Sequence, residues 1–516
     1  MYPNESVMAK PERPAVIVGG SGDTLRYGEF NSAANRLAHL FRSHGLERRD
    51  HVAFFLENGS TRLVADSAAE RTGLYFTGID AKFSADEVAW IINDSTARVV
   101  VTSARLGEVA RLLPARCPKV ELWLMDGIDQ PDGEFEPYAK TVGMFPDTRV
   151  TNERLGVAMP YTSGTTGRPK GIFRPIPDVA PGEPLPVFKR AGETYQLRPG
   201  NVLLVPGPLH HSAAQIPAAL TIRLGGTVVI MERFDAETFL EYVDRYRVTH
   251  SLVVPTMMSR MLALPQSVRD LFSLDSLEAL VHGAAPCPTS VKAEMIDWLG
   301  PIVFEYYGAS EANGSTLCTS KEWLERPGTV GKASLGEVVI LDKDGDECPP
   351  RVPGDVWFRG ATNFVYFNDE DKTAKSTDPS GTMSTTGDIG YLDEDGYLFL
   401  TDRSANVIIS GGVNIYPQEI ENVLANHPDV ADVAVVGVPH PDRGEDVKAV
   451  VQLRSGVEVL PSTPQHLIDS CEGRLAKFKW PRSIDFVDEV PRTGPGKLDK
   501  KTIRTWYWKG TGSIIR

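Results

Sequence analysis

The chain has 516 residues, of which 41% are hydrophobic and 24% charged, as in a globular protein too long for one ordinary core. Its formal net charge of −14 argues against nucleic acid or an anionic membrane as the main partner. The five cysteines are scattered, no apolar run reaches transmembrane length, and the first residues lack a signal-peptide pattern. We therefore expect a cytoplasmic protein without disulfides or a cysteine metal site.

Helical and strand patterns alternate along the first part of the chain. Apolar residues at helical spacing in FNSAANRLAHLFRSHGL predict a helix that Gly45 can close. HVAFF and ARVVVTS are typical of buried strands, and NVLLVPG, TVVIM and HSLVVPT predict further strands between helical segments. This alternation predicts an α/β fold built from several layers.

The stretch YTSGTTGRPKGI surrounds one lysine with glycines and hydroxyl side chains. Glycines such as Gly164 let backbone N–H groups face inward, and Ser163, Thr165, Thr166 and Lys170 add further donors. Donors that converge in this way suit a polyphosphate. The position of the lysine and the proline before it differ from a Walker A loop. An exposed turn of small polar residues is the alternative interpretation.

The pattern changes near LTDRSANVIISGGVNIYP. One helix pattern, QEIENVLANH, is followed by two strand patterns, VADVAVVGV and DVKAVVQL. We place a domain boundary at Asp402, which gives a large domain of residues 1–402 and a small one of residues 403–516.

Several motifs follow one another in the order known from a single enzyme superfamily. YTSGTTGRPKG, YYGASE, TTGDIGYLDEDGYLFLTDRSANVIISGGVNIYPQEIE and PRTGPGKLDKK resemble the signatures of the adenylate-forming enzymes. These are the acyl-CoA synthetases, the peptide-synthetase adenylation domains and the luciferases. The resemblance extends from Tyr161 to Lys501 and implies a large multi-layer α/β domain that binds ATP and an acid, plus a small mobile α+β lid.

The same resemblance implies a reaction and its partners. An acid is activated with ATP and Mg²⁺ as acyl-AMP, pyrophosphate leaves, and the acyl group passes to CoA. The lid is expected to rotate about the hinge residue Asp402, and Gly411 and Gly412 are expected near CoA. Many relatives read DRxKDxI after the hinge, whereas this chain reads DRSANVI, so the usual lysine is absent at Ala405. The oligomeric state, including a homodimer, is left open.

The nucleotide site follows from the resemblance residue by residue. Glu311 is expected to bind Mg²⁺ with Thr162 nearby, since a carboxylate is a hard oxygen ligand, although a solvated glutamate is the alternative. Tyr307 is expected to stack on adenine. Asp388 is expected to accept hydrogen bonds from the ribose, with Arg403 at the ribose or the α-phosphate. The expected nucleotide contacts are Thr162, Ser163, Gly164, Thr165, Thr166, Lys170, Gly283, Ala284, Ala285, Glu305, Tyr306, Tyr307, Ser310, Asp388 and Arg403.

Three further residues, Lys497, Glu311 and His211, are the catalytic candidates. Lys497 matches the lysine that bridges the carboxylate and the α-phosphate during adenylation, whereas Lys500 and Lys501 are expected to be solvated. His211 matches the position beside the bound carboxylate, with a core histidine as the alternative. We expect His210 and His211 to point to opposite faces of a strand, and we find no ligand set for zinc.

The expected acyl pocket is mostly apolar. Its residues are His211, Ala213, Ala214, Val254, Met257 and Tyr306. No aspartate is evident for an α-ammonium group, and no lysine or arginine is evident for a second carboxylate. Such walls suit a hydrophobic monocarboxylic acid, with a preference for a fatty acid of medium or long chain. Aromatic and alicyclic acids, a carrier-protein acceptor and a non-catalytic binding protein remain alternatives.

Overall fold

Two largely parallel sheets form the centre of the large domain in the computed structural model, which describes residues 1–162, 168–360, 364–403, 406–410, 413–441, 443–493 and 497–508. One sheet is entirely parallel, and its strands in spatial order are Phe135–Pro137, Leu122–Asp126, Val99–Ser103, His51–Phe55, Tyr75–Ile79 and Val157–Ala158. The other is parallel at its centre and antiparallel at both edges; its order is Lys332–Leu335, Ser315–Cys318, Val303–Gly308, Ala279–His282, His250–Val253, Val202–Val205, Thr227–Ile230, Pro14–Val18 and Thr24–Arg26.

Hydrophobic periodicity decides these elements. Every residue of His51–Phe55 is buried, because helices cover both faces of a parallel sheet. The helix Tyr27–Ser43 buries Phe30, Leu37 and Phe41 along one stripe. Its chain reverses at Gly45, where φ is +68°, in the left-handed region that glycine adopts readily. The strands and the helix predicted from the sequence here are confirmed.

The remaining helices connect the strands and pack on the sheets. The α-helices are Glu5–Met8, Tyr27–Ser43, Ser60–Arg71, Ala85–Asp94, Gly107–Ala110, Tyr138–Gly143, Pro186–Thr194, Ser212–Arg223, Ala236–Arg245, Pro255–Leu262, Gln266–Arg269, Thr289–Leu299, Ser320–Glu325, Glu370–Ser376, Pro417–Ala425, Thr463–Asp469 and Lys500–Tyr507. Short 3₁₀ turns lie at Ala104–Leu106, Pro114–Arg116 and Lys477–Lys479. Among the described helices, none combines the length and the apolar composition needed to cross a bilayer.

Two antiparallel sheets complete the large domain. The first contains Val365–Tyr366, Lys170–Phe173 and Tyr161–Thr162, and it carries the glycine-rich loop. The second contains Glu337–Leu341, Gly354–Arg359, Met383–Leu392 and Leu398–Arg403. Asp402 therefore belongs to the last strand of the large domain.

The C-terminal part forms a sheet of its own with helices against it. Its strands are Val413–Ile415, Ile408–Ser410, Gly444–Leu453 and Val430–His440, with Ser483–Phe486 parallel to Gly444–Leu453. The sheet membership changes between Arg403 and Ile408. The α+β character of this part is confirmed, whereas the boundary after Asp402 stays a prediction.

A buried charge cluster, formed by Asp402, Glu421 and Lys500, lies at the junction of the two parts. The Lys500 Nζ atom is 2.8 Å from Glu421 Oε1 and 3.9 Å from Asp402 Oδ2, and all three side chains are at most 10% exposed. Asp402 Oδ2 also accepts a hydrogen bond of 3.0 Å from the backbone N–H of Gln418. Burial raises the pKa of Glu421, and Lys500 opposes that shift. The expectation that Lys500 is solvated was wrong, because the ammonium compensates two buried carboxylates.

This junction cluster allows a stability test. Lys500→Met removes the only cation of the described cluster, so we expect the free energy of unfolding of the small domain to fall by about 3 kcal/mol. Without the ammonium, Glu421 must bind a proton to remain buried, and its folded pKa then lies further above the unfolded value. The loss should therefore be larger at pH 8 than at pH 5. Urea denaturation at both pH values measures this, with the exposed Lys501→Met as the control. Equal unfolding curves for the two variants would contradict the account.

Candidate active site

The two short strands on either side of the glycine-rich segment pair with each other in a β-hairpin stem. Thr162 and Lys170 lie opposite each other in its antiparallel stem. The predicted phosphate donors Ser163, Gly164, Thr165 and Thr166 lie outside the described residues. Thr162 and Lys170, the first and last predicted phosphate contacts of this segment, thus lie in the paired strands on either side of it.

Two side-chain contacts that the sequence analysis missed hold this hairpin in place. The Tyr161 hydroxyl donates to Asp94 Oδ2 at 2.7 Å, which ties the stem to the helix Ala85–Asp94. The Lys170 Nζ atom is 2.7 Å from Asp369 Oδ2, and both side chains are at most 25% exposed. A phosphate at this loop would share the Lys170 ammonium with Asp369.

Glu311 lies just beyond the strand Val303–Gly308 and is buried. Its Oε1 atom accepts a hydrogen bond of 2.7 Å from the hydroxyl of Tyr366, a residue that pairs with Ile172 in the hairpin sheet. The Arg174 guanidinium, which donates to the Ser310 carbonyl at 3.1 Å, lies nearby. Burial lowers the pKa of Arg174 and Glu311 opposes that shift. Glu311 therefore lies beside the hairpin that is predicted to bind phosphate, and a buried oxygen donor of this kind fits Mg²⁺.

A second group of predicted residues meets at the neighbouring sheet. The Tyr307 hydroxyl donates to Asp388 Oδ2 at 2.7 Å, and the Thr386 hydroxyl donates to the same atom at 2.9 Å. Asp388 pairs with Arg403 across adjacent strands, so their backbones are neighbours. The structure thus brings together the aromatic residue, the carboxylate and the arginine position that were predicted for adenosine.

The turn after the strand Ala279–His282 is closely packed against Tyr306. A side chain at Gly283 would come within 2.6 Å of the Tyr306 ring, so glycine is required for this approach. The next residue, Ala284, has a φ of +66°, which is uncommon for a residue with a Cβ atom. The predicted Gly283 to Ala285 turn therefore lies against the predicted pocket residue Tyr306.

Glu305, directly before the YYGASE motif, has a side chain that is paired inside the fold. Its carboxylate contacts the Lys292 ammonium, and both side chains are nearly inaccessible. Burial raises the pKa of Glu305, and Lys292 opposes that shift. A nucleotide contact from Glu305 would have to use its backbone, because its side chain is engaged in this internal ion pair. The role predicted for Glu305 stays a prediction.

The predicted acyl-pocket residues fall into two groups. His211 precedes the helix Ser212–Arg223, whose first turn contains Ala213 and Ala214. This helix packs against an aromatic cluster in which Tyr306 meets Tyr195 edge-on at 5.4 Å between ring centroids. Val254 and Met257 lie at the start of the helix Pro255–Leu262, and Met257 packs into a different apolar cluster.

The two adjacent histidines lie together, contrary to expectation. They belong to a turn and not to a strand, and their ring centroids are 3.9 Å apart. Asp80 Oδ2 is 3.4 Å from His210 Nε2. Burial lowers the pKa of His210 to about 3, with smaller contributions from Arg62 and Lys82. The strand rule failed because the predicted strand ends at Val205, before the pair begins.

Lys497 acts electrostatically at this same place. Burial lowers the pKa of His211 most; His210 adds to this, Asp80 opposes it, and Lys497 lowers it further. The predicted catalytic lysine of the small domain is therefore near enough to His211 to contribute to the lowering of its pKa. Gly411 and Gly412, predicted for CoA, and the side chain of Arg403 lie outside what the structure describes.

Comparison with known proteins shows the family. The model of the AMP-binding enzyme family matches residues 4–365, and that of the AMP-binding enzyme C-terminal domain matches residues 419–497. The chain belongs to the AMP-binding enzyme family, the adenylate-forming enzymes. It is thus an AMP-forming acid–thiol ligase with ATP as its nucleotide, and Mg²⁺ is the usual ion of the family.

Curated relatives and solved structures match this chain over nearly its whole length. The fatty acid–[acyl-carrier-protein] ligase ScoC of Streptomyces coeruleorubidus is 31% identical, covering 97% of this chain and 94% of its own. The feruloyl-CoA synthase of an Amycolatopsis species is 32% identical, with 98% of both chains covered. ATP-bound MatB from Rhodopseudomonas palustris superposes with a TM-score of 0.82 at 26% identity, covering 97% of this chain and 96% of its own. The amide bond synthetase McbA from Marinactinospora thermotolerans superposes with a TM-score of 0.82 at 28% identity, over 97% and 98%.

The position of Glu311 generates a prediction. Glu311→Gln keeps the shape and the hydrogen bond from Tyr366 but removes the negative charge, so we expect acyl-AMP formation to fall by a factor of about 10² or more. The melting temperature should stay close to that of the unmodified protein. Pyrophosphate release at a series of Mg²⁺ concentrations measures the effect, with Tyr366→Phe as the control that keeps the charge. Normal turnover in Glu311→Gln at low Mg²⁺ would contradict a metal role.

Proposed function

We propose that the protein is an ATP-dependent acid–CoA ligase for hydrophobic monocarboxylic acids, with a preference for fatty acids of medium or long chain. The observation that carries the proposal is the geometry of the predicted nucleotide site, in which Tyr307 donates a hydrogen bond to Asp388 and Tyr366 holds the buried Glu311 beside the hairpin. Lys497 near His211, where the acid is expected to enter, suits attack by a carboxylate on a phosphate. The scattered cysteines, all free among the described residues, fit action in the cytoplasm.

In the first half-reaction, a carboxylate oxygen of the acid attacks the α-phosphorus of ATP, and pyrophosphate leaves. Lys497 would bridge the carboxylate and the α-phosphate, which reduces their mutual repulsion as the bond forms. The hairpin from Thr162 to Lys170 would bind the departing phosphates. Mg²⁺, bound by Glu311 with Thr162 nearby, would neutralise the charge that develops on pyrophosphate.

In the second half-reaction, a thiol attacks the acyl carbonyl and AMP leaves. If Lys497 bridges the carboxylate and the α-phosphate during adenylation, it would have to withdraw before a thiol could reach the acyl carbonyl. We propose that the small domain rotates about Asp402 and brings Gly411 and Gly412 to the site, as in other enzymes that close and reopen by hinge motion. The pairing of Asp402 with Lys500 would keep the loop segment attached to the hinge in the first state.

The apolar surroundings of Tyr306, one of the predicted acyl-pocket residues, support the substrate class. Tyr195, Val281 and Tyr306 form a buried cluster with Leu220 of the helix that begins after His211. Walls of this kind favour an acyl chain that loses contact with water. A relative that is 28% identical over 96% of this chain is the long-chain-fatty-acid–CoA ligase FadD13 of Mycobacterium tuberculosis. Other relatives, such as the feruloyl-CoA synthase, act on aromatic acids, so the preference needs a direct test.

A carrier protein is the alternative acceptor. The relative ScoC, 31% identical to this chain, is a fatty acid–[acyl-carrier-protein] ligase. Both acceptors present a thiol and need the same acyl-AMP, so adenylation alone does not distinguish them. The test combines the enzyme with ATP, Mg²⁺ and a panel of acids, followed by CoA or a holo-acyl carrier protein. Pyrophosphate release with acyl-CoA as product supports the proposal, and product only with the carrier protein supports the alternative.

Lys497 should separate the two half-reactions. Lys497→Ala removes the charge that stabilises adenylation, so we expect acyl-AMP formation to fall by a factor of about 10² or more. The same variant, supplied with synthetic acyl-AMP, should form acyl-CoA at close to the normal rate. The exposed Lys501→Ala is the matched control and should retain both rates. If both half-reactions fall equally in Lys497→Ala, the proposed domain rotation is wrong.

The helix after His211 should limit the length of the acid. Ala213→Trp adds an indole ring to its first turn, so we expect KM to rise for long acids and to change little for short ones. The KM for ATP should not move, because the nucleotide contacts lie on other elements. Steady-state kinetics with a series of straight-chain acids measures this. A uniform loss for all acids would place Ala213 outside the acyl pocket.

A further inference from the structure

Three side chains at the entrance of the acyl pocket converge on one point. Asp80 follows the strand Tyr75–Ile79, and His210 and His211 form the turn that precedes the helix Ser212–Arg223. A carboxylate oxygen of Asp80 and one ring nitrogen from each histidine all lie within 4.8 Å of one another. Donors from two separate elements thus meet in a space that a single ion can bridge.

One nitrogen of each histidine lacks a hydrogen bond within the described structure, although Asp80 Oδ2 lies 3.4 Å from His210 Nε2. The Nε2 atoms of His210 and His211 are buried and make no hydrogen bond there. Buried polar atoms without a partner are rare in folded proteins, so each such atom calls for a specific explanation. An ion that accepts both lone pairs would satisfy both atoms at once.

The donor set selects the kind of ion. Two imidazoles and one carboxylate are typical ligands of Zn²⁺ and related transition metals, whereas Mg²⁺ prefers oxygen donors throughout. We propose that Asp80, His210 and His211 bind a Zn²⁺-like transition-metal ion at the acyl entrance, distinct from the Mg²⁺ expected at Glu311. Three protein ligands leave a coordination position for water or another small ligand. This inference rests on the positions of three side chains and not on the proposed function.

The surrounding charges indicate what such binding would do. Arg62 and Lys82 lie close enough to His210 to affect it electrostatically, and Lys497 does the same at His211. These cations repel a divalent ion, so we expect a site that binds Zn²⁺ less tightly than a structural zinc centre. Lys497 belongs to the small domain, whose rotation we propose above, and its approach and the presence of the ion should oppose each other. Zn²⁺ should therefore inhibit adenylation, and its binding should weaken as Lys497 enters the site.

Zn²⁺ affinity, measured by competition with a chromophoric chelator on the full-length protein, tests the proposal. We expect one ion per chain, and an affinity that falls by about tenfold or more in His210→Asn and in Asp80→Asn, since changes even in outer-shell partners have effects of this size. Lys497→Ala should bind Zn²⁺ more tightly, because a repelling charge is gone. His466→Asn, which changes an exposed histidine, is the matched control and should bind like the unmodified protein.

A second measurement avoids variants that fail to fold. Co²⁺ added to the unmodified protein should give the strong visible absorption of a tetrahedral site with nitrogen ligands, and excess Mg²⁺ should not remove it. Absence of that absorption, or its loss on addition of Mg²⁺, would overturn the proposal, since the ion would then lie at oxygen ligands. Equal Zn²⁺ affinity in folded His210→Asn and His466→Asn would overturn it as well.

Discussion

Charge that is removed from water needs a partner, and this constraint decides which ionisable groups of the protein remain available for chemistry. Lys292 compensates Glu305, Arg62 contacts Asp66, and Lys500 compensates Glu421, all in buried surroundings. These pairs are internal to the fold. Glu311, by contrast, has a hydroxyl partner in Tyr366, with the Arg174 guanidinium close by, and it lies beside the hairpin where phosphates are expected.

The hydrogen bond between Tyr366 and Glu311 also joins two sheets. Glu311 follows a strand of the nine-stranded sheet, and Tyr366 belongs to the sheet that contains the hairpin. The proposed metal carboxylate and the proposed phosphate loop are thereby kept in register by one contact of 2.7 Å. Preorganisation of this kind stabilises developing charge without rearrangement during the reaction.

Much of the fold could be predicted from the sequence, because strands such as His51–Phe55 and helices such as Tyr27–Ser43 follow local hydrophobic periodicity. The grouping of Tyr307 with Asp388 followed from ordered motifs. What could not be predicted depends on contacts between distant segments. The burial of Lys500 requires Glu421, 79 positions earlier, and the closeness of His210 to Asp80 requires two different layers. The sequence around Lys500 gives no local signal of its burial, and the sequence around His210 gives none of its closeness to Asp80.

The junction cluster and the ion pair between Lys170 and Asp369 at the hairpin differ in how strongly dissolved salt should affect them. Lys500 and Glu421 are almost fully buried, whereas the Lys170 and Asp369 side chains keep 25% and 18% of their surface accessible. Dissolved salt screens charges near water within a Debye length of about 8 Å at physiological ionic strength, and it affects buried pairs much less. If the hairpin binds phosphate as proposed, rising ionic strength should weaken that binding, while the buried ion pair between Lys500 and Glu421 should change little. In an organism that accumulates salt, nucleotide affinity at the proposed site should therefore weaken before the buried cluster at the junction does.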